Sequence, residues 1–520
     1  MTAAGTPRYD CIVVGGGHNG LVCAAYLARG GRSVLVLEAA GQVGGAAVTR
    51  EFAPGFQVSA CAHLLHLMPG ALMRELGLSA QGLKLAAQHL PTTALSGDGA
   101  HLSLAPAGLA QRLPADAVAY GEWQALGQRL AAALHPVLTD APPRLGTGSW
   151  RERASLLRLG WRIRRLGRCD MRELLRIGGM NVQDLLDERF ESPLLKGALA
   201  VDAVLGTNLG PRSPGTVLTL LYRMAAAGGA EALAQPAGGL GALSTALAGA
   251  ATAAGAQIRT QAPVARILVS ADRASGVVLA SGEEIAADVV VSSADPKTTF
   301  LGLLGSEHLD AGFTRRVAQL RTGGLAAKLH LALERLPQFP DLDRQALRGR
   351  LLIAPSPQYI ERAFNHAKYG EFSAAPMLEI TVPTLADPTL APPGKHVLSA
   401  IVQYAPYSLR SGWQAQRQSF TDLAIDTIGA FAPDLRDCLH SAQLLTPPDI
   451  EREFRIAGGH WHHAELALDQ FFLVRPVPGA AQYQGPVAGL YLCGAGCHPG
   501  GGVMGVAGRN AARQVLREAA

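Results

Sequence analysis

Ten residues decide the fold of this chain: Cys11-Ile12-Val13-Val14-Gly15-Gly16-Gly17-His18-Asn19-Gly20. They begin with a short apolar run of the kind that forms a buried parallel strand. Glycines follow at once, residues 21–29 have helical spacing, and a second apolar run over 33–37 ends in Glu38. Strand, glycine-rich turn, helix, strand and acid in this order predict a βαβ unit that binds a dinucleotide.

The glycines of the G-x-G-x-x-G turn have separate roles. Gly15 permits the tight turn, Gly17 lets the backbone approach a pyrophosphate, and Gly20 lets helix and strand pack closely. Backbone N–H groups, which the glycines leave accessible, and the dipole of the following helix then stabilise the negative charge of the phosphates. The predicted cofactor contacts of this turn are Gly15, Gly17, His18, Asn19 and Gly20.

An acid ends the second predicted strand. Glu38 lies 18 residues after Gly20, where a carboxylate accepts hydrogen bonds from ribose hydroxyls. An acid rather than an arginine at this position disfavours a cofactor with a 2′-phosphate. A second glycine-rich stretch, Gly41 to Thr49, follows directly.

The other end of the chain has a similar arrangement. The apolar run 490–493 precedes a glycine-rich turn and a final helix, so a strand again delivers backbone amides and a helix N-terminus. Nine of the chain's 60 glycines lie between positions 15 and 45, and seven lie between 494 and 508. The glycines are therefore concentrated at two predicted anion-binding turns.

These motifs together resemble the phytoene desaturase-like FAD-dependent oxidoreductases. The likeness is greatest to the branch of carotenoid ketolases and of pyridine nucleotide-disulfide oxidoreductase domain-containing protein 2. It extends over nearly the whole chain, and its C-terminal motif is the most specific part. The matching stretches are Val13 to Glu38, Gly41 to Thr49, Pro236 to Gly241, Ser292 to Pro296, Leu468 to Gln470, Arg475-Pro476 and Leu490 to Asn510.

The resemblance implies FAD as the cofactor and adds further contacts. Val264 occupies the strand position whose backbone usually meets the adenine. Many relatives have arginine directly after the two glycines of the second motif, where this chain has Ala46. The C-terminal turn would lie beside the flavin ring and ribityl chain. The contacts implied in these two motifs are Gly44, Gly45, Ala46, Gly494, Gly502, Val503 and Met504.

The resemblance also implies the domain organisation. We expect an α/β fold in which a Rossmann-like FAD-binding domain is assembled from residues 1–85, 235–305 and 456–520. An α+β substrate domain, as in amine oxidases and phytoene desaturases, would be inserted as residues 86–234 and 306–455. The turns near residues 387 and 393 predict an antiparallel connection between the strand-like runs 378–382 and 397–404.

Lys328 and several histidines are the candidate reactive side chains. The stretch 324–329 resembles the strand on which flavin amine oxidases place a lysine near the flavin, so Lys328 would hold a water there; the alternative is a lysine on an exposed strand face. His460 and His462 lack an acidic or cysteine partner at ligand spacing, so we expect no metal. The histidines that would line the substrate cavity or serve packing are His63, His66, His460 and His462.

An arginine-rich segment lies at 150–178. Nine arginines between Trp150 and Arg176 alternate with apolar residues and supply most of the net charge of +5. Such a basic amphipathic helix suits an anionic membrane surface, from which an enzyme could draw a lipophilic substrate. A solvated helix face or a partner surface explains the pattern equally well.

Composition excludes several classes of protein. The chain is 48% hydrophobic and 17% charged, which excludes disorder, and 46 basic against 41 acidic residues are too small an excess for nucleic-acid binding. Seven scattered cysteines fit a reducing compartment. The chain begins without the pattern of a signal peptide and contains no membrane-spanning apolar run. We therefore expect a cytoplasmic protein that is either free or peripheral on the inner face of a membrane.

The sequence supports three hypotheses about function. The first is an FAD-dependent oxidoreductase that takes a hydride from a lipophilic, unsaturated, isoprenoid- or carotenoid-like substrate, with oxygen or a quinone as electron acceptor. Desaturation, ketolation and isomerisation stay open. The second is an amine oxidase-like flavoenzyme, and the third is an FAD-containing scaffold protein without robust turnover.

Overall fold

The computed structural model describes residues 8–144, 150–226 and 233–518. The predicted segments 1–85, 86–234 and 456–520 each include a few residues outside these ranges. The strands, in chain order, are β1 Arg8–Val14, β2 Val34–Leu37, β3 Thr49–Ala53, β4 Phe56–Ser59, β5 Leu85–Ala87, β6 Thr92–Ala94, β7 Leu102–Ser103, β8 Gln235–Pro236, β9 Gln257–Arg259, β10 Val264–Ser270, β11 Arg273–Leu279, β12 Glu284–Ser292, β13 Ala326–Leu333, β14 Arg350–Ile353, β15 Met377–Thr381, β16 His396–Gln403, β17 Leu439–Leu445 and β18 Leu490–Leu492.

Helices connect and cover these strands. Short 3₁₀ and π-helical segments occur in addition. The α-helices are α1 His18–Arg29, α2 Gly70–Leu76, α3 Pro106–Arg112, α4 Pro114–Thr139, α5 Trp150–Arg165, α6 Gly167–Ile177, α7 Val182–Asp187, α8 Pro193–Val204, α9 Thr216–Ala226, α10 Leu240–Ala253, α11 Ala311–Ala318, α12 Arg344–Leu347, α13 Pro357–Lys368, α14 Trp413–Gly429, α15 Leu435–Cys438, α16 Pro447–Phe454 and α17 Val506–Glu518.

The first seven-stranded sheet carries the predicted nucleotide unit. Its order is β10-β11-β12-β1-β2-β9, with β18 also paired to β12. Strands β1, β2, β9, β12 and β18 are parallel, and β1 is buried at all four positions from Cys11 to Val14. The loops after β1, β2 and β12 therefore leave the same edge of the sheet, which is where ligands bind in open α/β folds.

The second seven-stranded sheet has the order β17-β13-β16-β15-β14-β6-β7. Its central strands pair antiparallel, and β15 pairs with β16 as the turns between them predicted. All eight residues of β13 are buried, since helices and the hairpin β3–β4 cover the sheet. Any polar side chain on this strand must therefore find its partners inside the protein.

Helices α1 and α17 bring the two ends of the chain together. A Cβ on Gly508 would lie 2.1 Å from the carbonyl oxygen of Asn19, so only glycine allows this close approach of the helices. The C-terminal turn is thereby held beside the N-terminal glycine turn. The strands of each sheet come from separate segments of the chain that alternate in sequence, as predicted. The exact boundaries of the two domains stay a prediction.

The arginine-rich segment differs from the single helix that the sequence predicted. Two helices, α5 and α6, meet at Gly167, whose φ of 82° lies in the left-handed region. Trp150 and Trp161 on α5 are exposed. None of the helices in the described ranges combines the length and the hydropathy that crossing a bilayer requires.

Candidate active site

A cleft of about 1020 Å³ lies at the carboxyl edge of the first sheet. Nine of the predicted cofactor contacts line it together. They come from the two glycine turns, from the end of β2 and from the start of β10. These residues are Gly15, Gly17, His18, Asn19, Glu38, Gly44, Gly45, Ala46 and Val264.

The cleft fits the phosphates of FAD. Helix α1 begins without a side-chain cap on Gly17 and without an acid in its first turn, so its first N–H groups remain available for an anion. A Cβ on Gly17 would approach no protein atom closer than 3.9 Å, so packing within the protein does not require glycine here. Glycine instead keeps the wall open for a pyrophosphate.

Glu38 and buried polar atoms fit the rest of the dinucleotide. The Glu38 carboxylate accepts hydrogen bonds from the backbone N–H groups of Gly16 (2.7 Å) and Ala40 (2.8 Å), which fix it while leaving further lone pairs for a ribose. Within the described residues, His18 Nε2 and Asn19 Oδ1 are buried without a hydrogen-bond partner. Such atoms are expected where a bound group completes the site.

The two glycine motifs are joined directly. The N–H of Gly44 donates to the carbonyl oxygen of Gly16 at 2.8 Å, and a Cβ on Gly45 would lie 3.5 Å from the Cα of Gly17. Gly44 has a φ of 126°, which L-residues with a side chain rarely adopt. The second motif thus forms one wall of the cleft.

Three predicted cofactor residues line neither cavity of the site. Gly20 lies behind the turn, where its Cβ would be 2.1 Å from the carbonyl oxygen of Gly15. A Cβ on Gly494 would likewise lie only 2.4 Å from the carbonyl oxygen of Ser293, so this glycine is packed against backbone. Met504 is buried, and its sulfur accepts a hydrogen bond from the Tyr222 hydroxyl at 3.0 Å. Their roles in the structure are in packing.

A second cavity of about 840 Å³ adjoins the cleft and shares His18, Ala46 and Trp461 with it. Most of its wall is apolar, and the C-terminal turn contributes to it. The lining residues are His18, Ala46, Cys61, Ala62, His63, Leu64, His66, Leu67, Leu205, Thr219, Tyr222, Arg223, Glu379, Ile401, Trp461, His462, Leu466, Gly502 and Val503.

Three of the four predicted cavity histidines do line this cavity. They are His63, His66 and His462. His460 does not line the cavity, and its position matches the alternative role in packing: its Nδ1 accepts a hydrogen bond from the backbone N–H of His462 at 3.3 Å, and its Nε2 lies 3.6 Å from a carboxylate oxygen of Glu465. These contacts hold the His460 ring in the protein interior, behind the cavity wall.

Lys328 is fully buried, which contradicts the alternative of an exposed strand face. It lies on β13, and its Nζ donates to His63 Nδ1 at 2.6 Å. Burial lowers the pKa of Lys328 from its ordinary 10.5 to about 7. Lys328 does not line the cavity itself, so His63 stands between the lysine and the cavity.

A chain of buried charges continues from His63. His63 Nε2 lies 2.8 Å from Glu379 Oε1, and the guanidinium of Arg350 donates to Glu379 at 2.6 Å and to Asp202 at 2.7 Å. Burial acts to raise the pKa of Glu379, but Arg350 and His63 outweigh it and hold that pKa well below its usual range. Burial and the nearby Lys328 lower the pKa of His63 to about 4.

Sequence reasoning missed several residues of the two cavities. Ser293 lies within the matched stretch after β12 but was assigned no role. His463 and Trp461 belong to the histidine-rich stretch. The spacing of residues in this stretch does not predict which side chains face the cavities. Arg223 and Glu379 lie in helix α9 and strand β15 without any local motif. The missed lining residues include Arg223, Ser293, Glu379, Arg455, Trp461 and His463.

The parallel sheet, its uncapped helix and the adjoining apolar cavity fit a protein that binds a dinucleotide beside an apolar ligand. The family described as flavin containing amine oxidoreductase matches residues 20–516. The chain belongs to this family, and FAD is its cofactor. Its enzyme class, an oxidoreductase, follows from the same match.

Similar proteins include named enzymes. The chain is 38% identical to pyridine nucleotide-disulfide oxidoreductase domain-containing protein 2 of Mus musculus, over 98% of this chain and 94% of that one. It is 28% identical to a component of the limonene dehydrogenase of Castellaniella defragrans, again over 98% and 94%. Identity to a neurosporene-forming phytoene desaturase of Cereibacter sphaeroides is 28% over 52% and 51% of the chains.

Solved structures support the fold. Cyclohexylamine oxidase of Brevibacterium oxydans has a TM-score of 0.60 at 19% identity, over 99% of this chain and all of that one. A putrescine oxidase bound to putrescine has a TM-score of 0.62 at 14% identity, over 98% and 99%. The inserted α+β substrate domain predicted from the sequence is the architecture of this fold.

The cysteines give no sign of a redox dithiol. Cys493 and Cys497 are both buried and unpaired. Burial raises the pKa of the Cys497 thiol, which makes it a poor nucleophile. These residues pack the C-terminal turn.

Proposed function

We propose that the protein removes a hydride from a lipophilic, unsaturated, isoprenoid-like substrate. The apolar cavity that adjoins the cofactor cleft carries this proposal. Bound FAD supplies a two-electron acceptor for the hydride. The protein's own contribution is to orient the substrate, to exclude water and to hold the proton released from the neighbouring carbon.

The cavity wall supports an apolar substrate. Leu64, Leu67, Leu205, Ile401 and Leu466 all face it, and Trp461 lies where the cavity meets the cleft. An apolar body that enters is removed from water along most of its length, which supplies binding energy. The same exclusion of water strengthens the electrostatic interactions in the site.

The Lys328–His63 pair is suited to hold the proton. Desaturation breaks two C–H bonds, so one hydride and one proton must leave the substrate. The proton that leaves the substrate converts the neutral amine of Lys328, whose pKa is about 7, to its ammonium form. His63 lines the cavity, and its Nδ1 lies 2.6 Å from Lys328 Nζ. We propose that oxygen or a quinone finally accepts the electrons.

Relatives support the same substrate class. The names of limonene dehydrogenase and of phytoene desaturase both refer to unsaturated hydrocarbons. The proposal covers desaturation, ketolation or isomerisation of such a compound where the reaction begins with transfer of a hydride to the flavin.

Amine oxidation is the second candidate, and the charges of the cavity disfavour it. Arg223 lines the cavity with a positive charge. The only carboxylate in the lining of the described cavity, Glu379, is already engaged by Arg350 and His63. A protonated amine would therefore be repelled by Arg223 and would find no free carboxylate to bind it.

The third hypothesis, a scaffold protein without turnover, predicts that no compound reduces the flavin.

The test is anaerobic reduction of the purified holoprotein. Farnesene and limonene should bleach the flavin absorbance, whereas putrescine and cyclohexylamine should leave it unchanged. Re-admitted oxygen, or a soluble quinone under argon, should then restore the absorbance and identify the acceptor. Bleaching by the amines alone, or by no compound at all, would contradict the proposal. Leu64→Asp, which places a charge in the apolar wall, should abolish bleaching by farnesene, whereas the exposed change Leu175→Asp should not.

We further propose that helix α5 holds the protein at an anionic membrane surface. Trp150, Leu157 and Trp161 are spaced by seven and four residues and so lie on one face of the helix. Their exposed fractions are 73%, 65% and 58%, which is unusual for such large apolar side chains. Exposed arginines flank this face, and the guanidinium of Arg165 lies 4.5 Å from the centre of the Trp161 ring.

A further inference from the structure

One side of the apolar cavity contains a polar cluster that the removal of a hydride does not require. Its members come from four different elements of the fold and from the segment after β4. Arg223 on α9 and His66 face the cavity directly. Glu379 on β15 also lines the cavity, and behind these three residues lie Asp202 on α8 and Arg350 on β14, joined by the ion pairs described above.

Arg223 is only partly neutralised inside the protein. Its guanidinium lies 3.2 Å from Asp202 Oδ1, and that carboxylate also accepts two hydrogen bonds from Arg350. Glu379, the other acid of the cluster, is shared between Arg350 and His63. Two carboxylates thus face two guanidinium groups, and protonation of the neighbouring Lys328 adds one further positive charge. The two acids balance the two arginines, so the cluster gains a net positive charge that favours an added anion as Lys328 becomes protonated below about pH 7.

His66 lacks the partners that a buried histidine normally has. Both of its ring nitrogens are buried, and neither has a hydrogen-bond partner within the described residues. Burial, and then the charge of Arg223, lower the pKa of His66 to about 3, so its ring is neutral and offers one N–H donor. A buried ring of this kind is expected to bond to a ligand that enters the cavity.

We infer that the substrate has an apolar body that ends in a carboxylate, and that Arg223 and His66 bind this carboxylate. The guanidinium supplies the charge and several N–H donors, which suit the two oxygens of a carboxylate. The neutral His66 ring donates a single further hydrogen bond. The remaining wall, whose surface is mostly apolar and includes four leucines, Ile401 and Trp461, encloses the hydrocarbon. This inference rests on the proposed function and adds the chemistry of one end of the substrate.

Three probes that differ only at one end test the inference. Farnesoic acid, farnesol and farnesene share the same type of prenyl body, and anaerobic calorimetric titration of the holoprotein reduced with dithionite measures their binding without turnover, because reduced flavin accepts no hydride. We expect the acid to bind at least about tenfold more tightly than the hydrocarbon, with the alcohol between them. Arg223→Gln and His66→Phe should each weaken binding of the acid by about tenfold or less and leave farnesene unchanged.

Matched variants separate a binding role from a structural one. Arg223→Lys should restore part of the affinity for the acid, and the exposed change Arg410→Gln should alter nothing. His66→Phe removes no hydrogen bond among the described residues, so the flavin content of this variant should equal that of the wild type. If the acid and the hydrocarbon bind equally, or if both cavity variants bind the acid as the wild type does, the inference is wrong although the proposed function stands. If none of the three probes binds, both are wrong.

Discussion

Gly20 sets how closely helix α1 approaches the turn that holds the cofactor. It has ordinary helical geometry, so a methyl group there acts through contact alone: its Cβ would lie 2.1 Å from the carbonyl oxygen of Gly15. We expect Gly20→Ala to displace the turn and to lower the FAD content of the purified protein at least about tenfold, as measured from its visible spectrum. Gly121→Ala is the matched control, because it lies on an exposed helix face with nothing within 4 Å. That variant should keep its FAD and gain about 1 kcal/mol in stability, and equal FAD content in both variants would contradict the role of Gly20.

Lys328 determines a pH dependence of the reaction. Its pKa of about 7 predicts that the rate of flavin reduction rises as pH increases through about 7, because only the neutral amine accepts a proton. Lys328→Met should remove this inflection and slow reduction about 100-fold or more. The surface change Lys84→Met should preserve the profile. An inflection that persists in Lys328→Met would assign it to another group.

The same lysine affects stability, with a sign that follows from its pKa. Between about pH 7 and 10.5 the unfolded chain binds more protons at this residue than the folded protein does, so stability rises with pH over that window. The cost of burying charged Lys328 is greatest below about pH 7, on the order of 5 kcal/mol at most. Lys328→Met should therefore raise the thermal unfolding midpoint more at about pH 6 than at about pH 10. A gain that is equal at both pH values would contradict this assignment.

Helix α5 is the element on which membrane binding depends. Trp150→Ser combined with Trp161→Ser should reduce flotation with vesicles of phosphatidylcholine and phosphatidylglycerol, because the exposed apolar face is lost. Arg164→Gln with Arg165→Gln should weaken binding to the same vesicles by roughly 1 kcal/mol per charge removed, and this loss should become smaller as the salt concentration rises. The wild-type protein and both variants should bind only weakly to vesicles of phosphatidylcholine alone.

A control and a contrary outcome complete the test of α5. Tyr369 is 75% exposed and lies on another part of the surface, so Tyr369→Ser should float like the wild type. Flotation that is unchanged in both α5 variants would favour a solvated helix face, and loss of a stable protein partner in the same variants would favour a docking surface for that partner.

At the scale of the whole molecule, FAD bound in the cleft would link segments that are far apart in the chain. The walls of its cleft come from the first 46 residues, from positions between 264 and 303, and from 454–463 with Ala495. Ligand that binds only the folded state stabilises it by about 2.7 kcal/mol at 100 times its dissociation constant. We expect added FAD to raise the unfolding midpoint of the apoprotein by at least a few degrees.

A shorter flavin provides the matched control for this effect. FMN lacks the adenosine half, so it leaves the regions of Glu38 and Val264 unfilled and should raise the midpoint less than FAD does. Equal shifts with FMN and FAD would show that these two residues do not bind the cofactor. The measurement follows tryptophan fluorescence during heating at several concentrations of each flavin.

Local patterns determined much of this protein. The order of strand, glycine turn, helix, strand and acid predicted the βαβ unit, and Gly15, Glu38 and Val264 lie together as expected. Such features could be predicted because backbone conformation and close approach depend on residues near one another in sequence. The C-terminal turn and the FAD cofactor were predicted from a motif that is likewise continuous in the sequence.

The tertiary structure alone decided which side chains face the apolar cavity. Lys328 meets His63 across 265 positions, and His63 meets Glu379 across 316. Arg223 and His66 form the polar side of the cavity, although neither belongs to a motif. These contacts depend on the register of β13 with its neighbours and on how the helices pack over the sheet, and no local pattern encodes either. The sequence by itself therefore determined the cofactor turns, whereas packing between distant segments decided the shape and charge of the cavity.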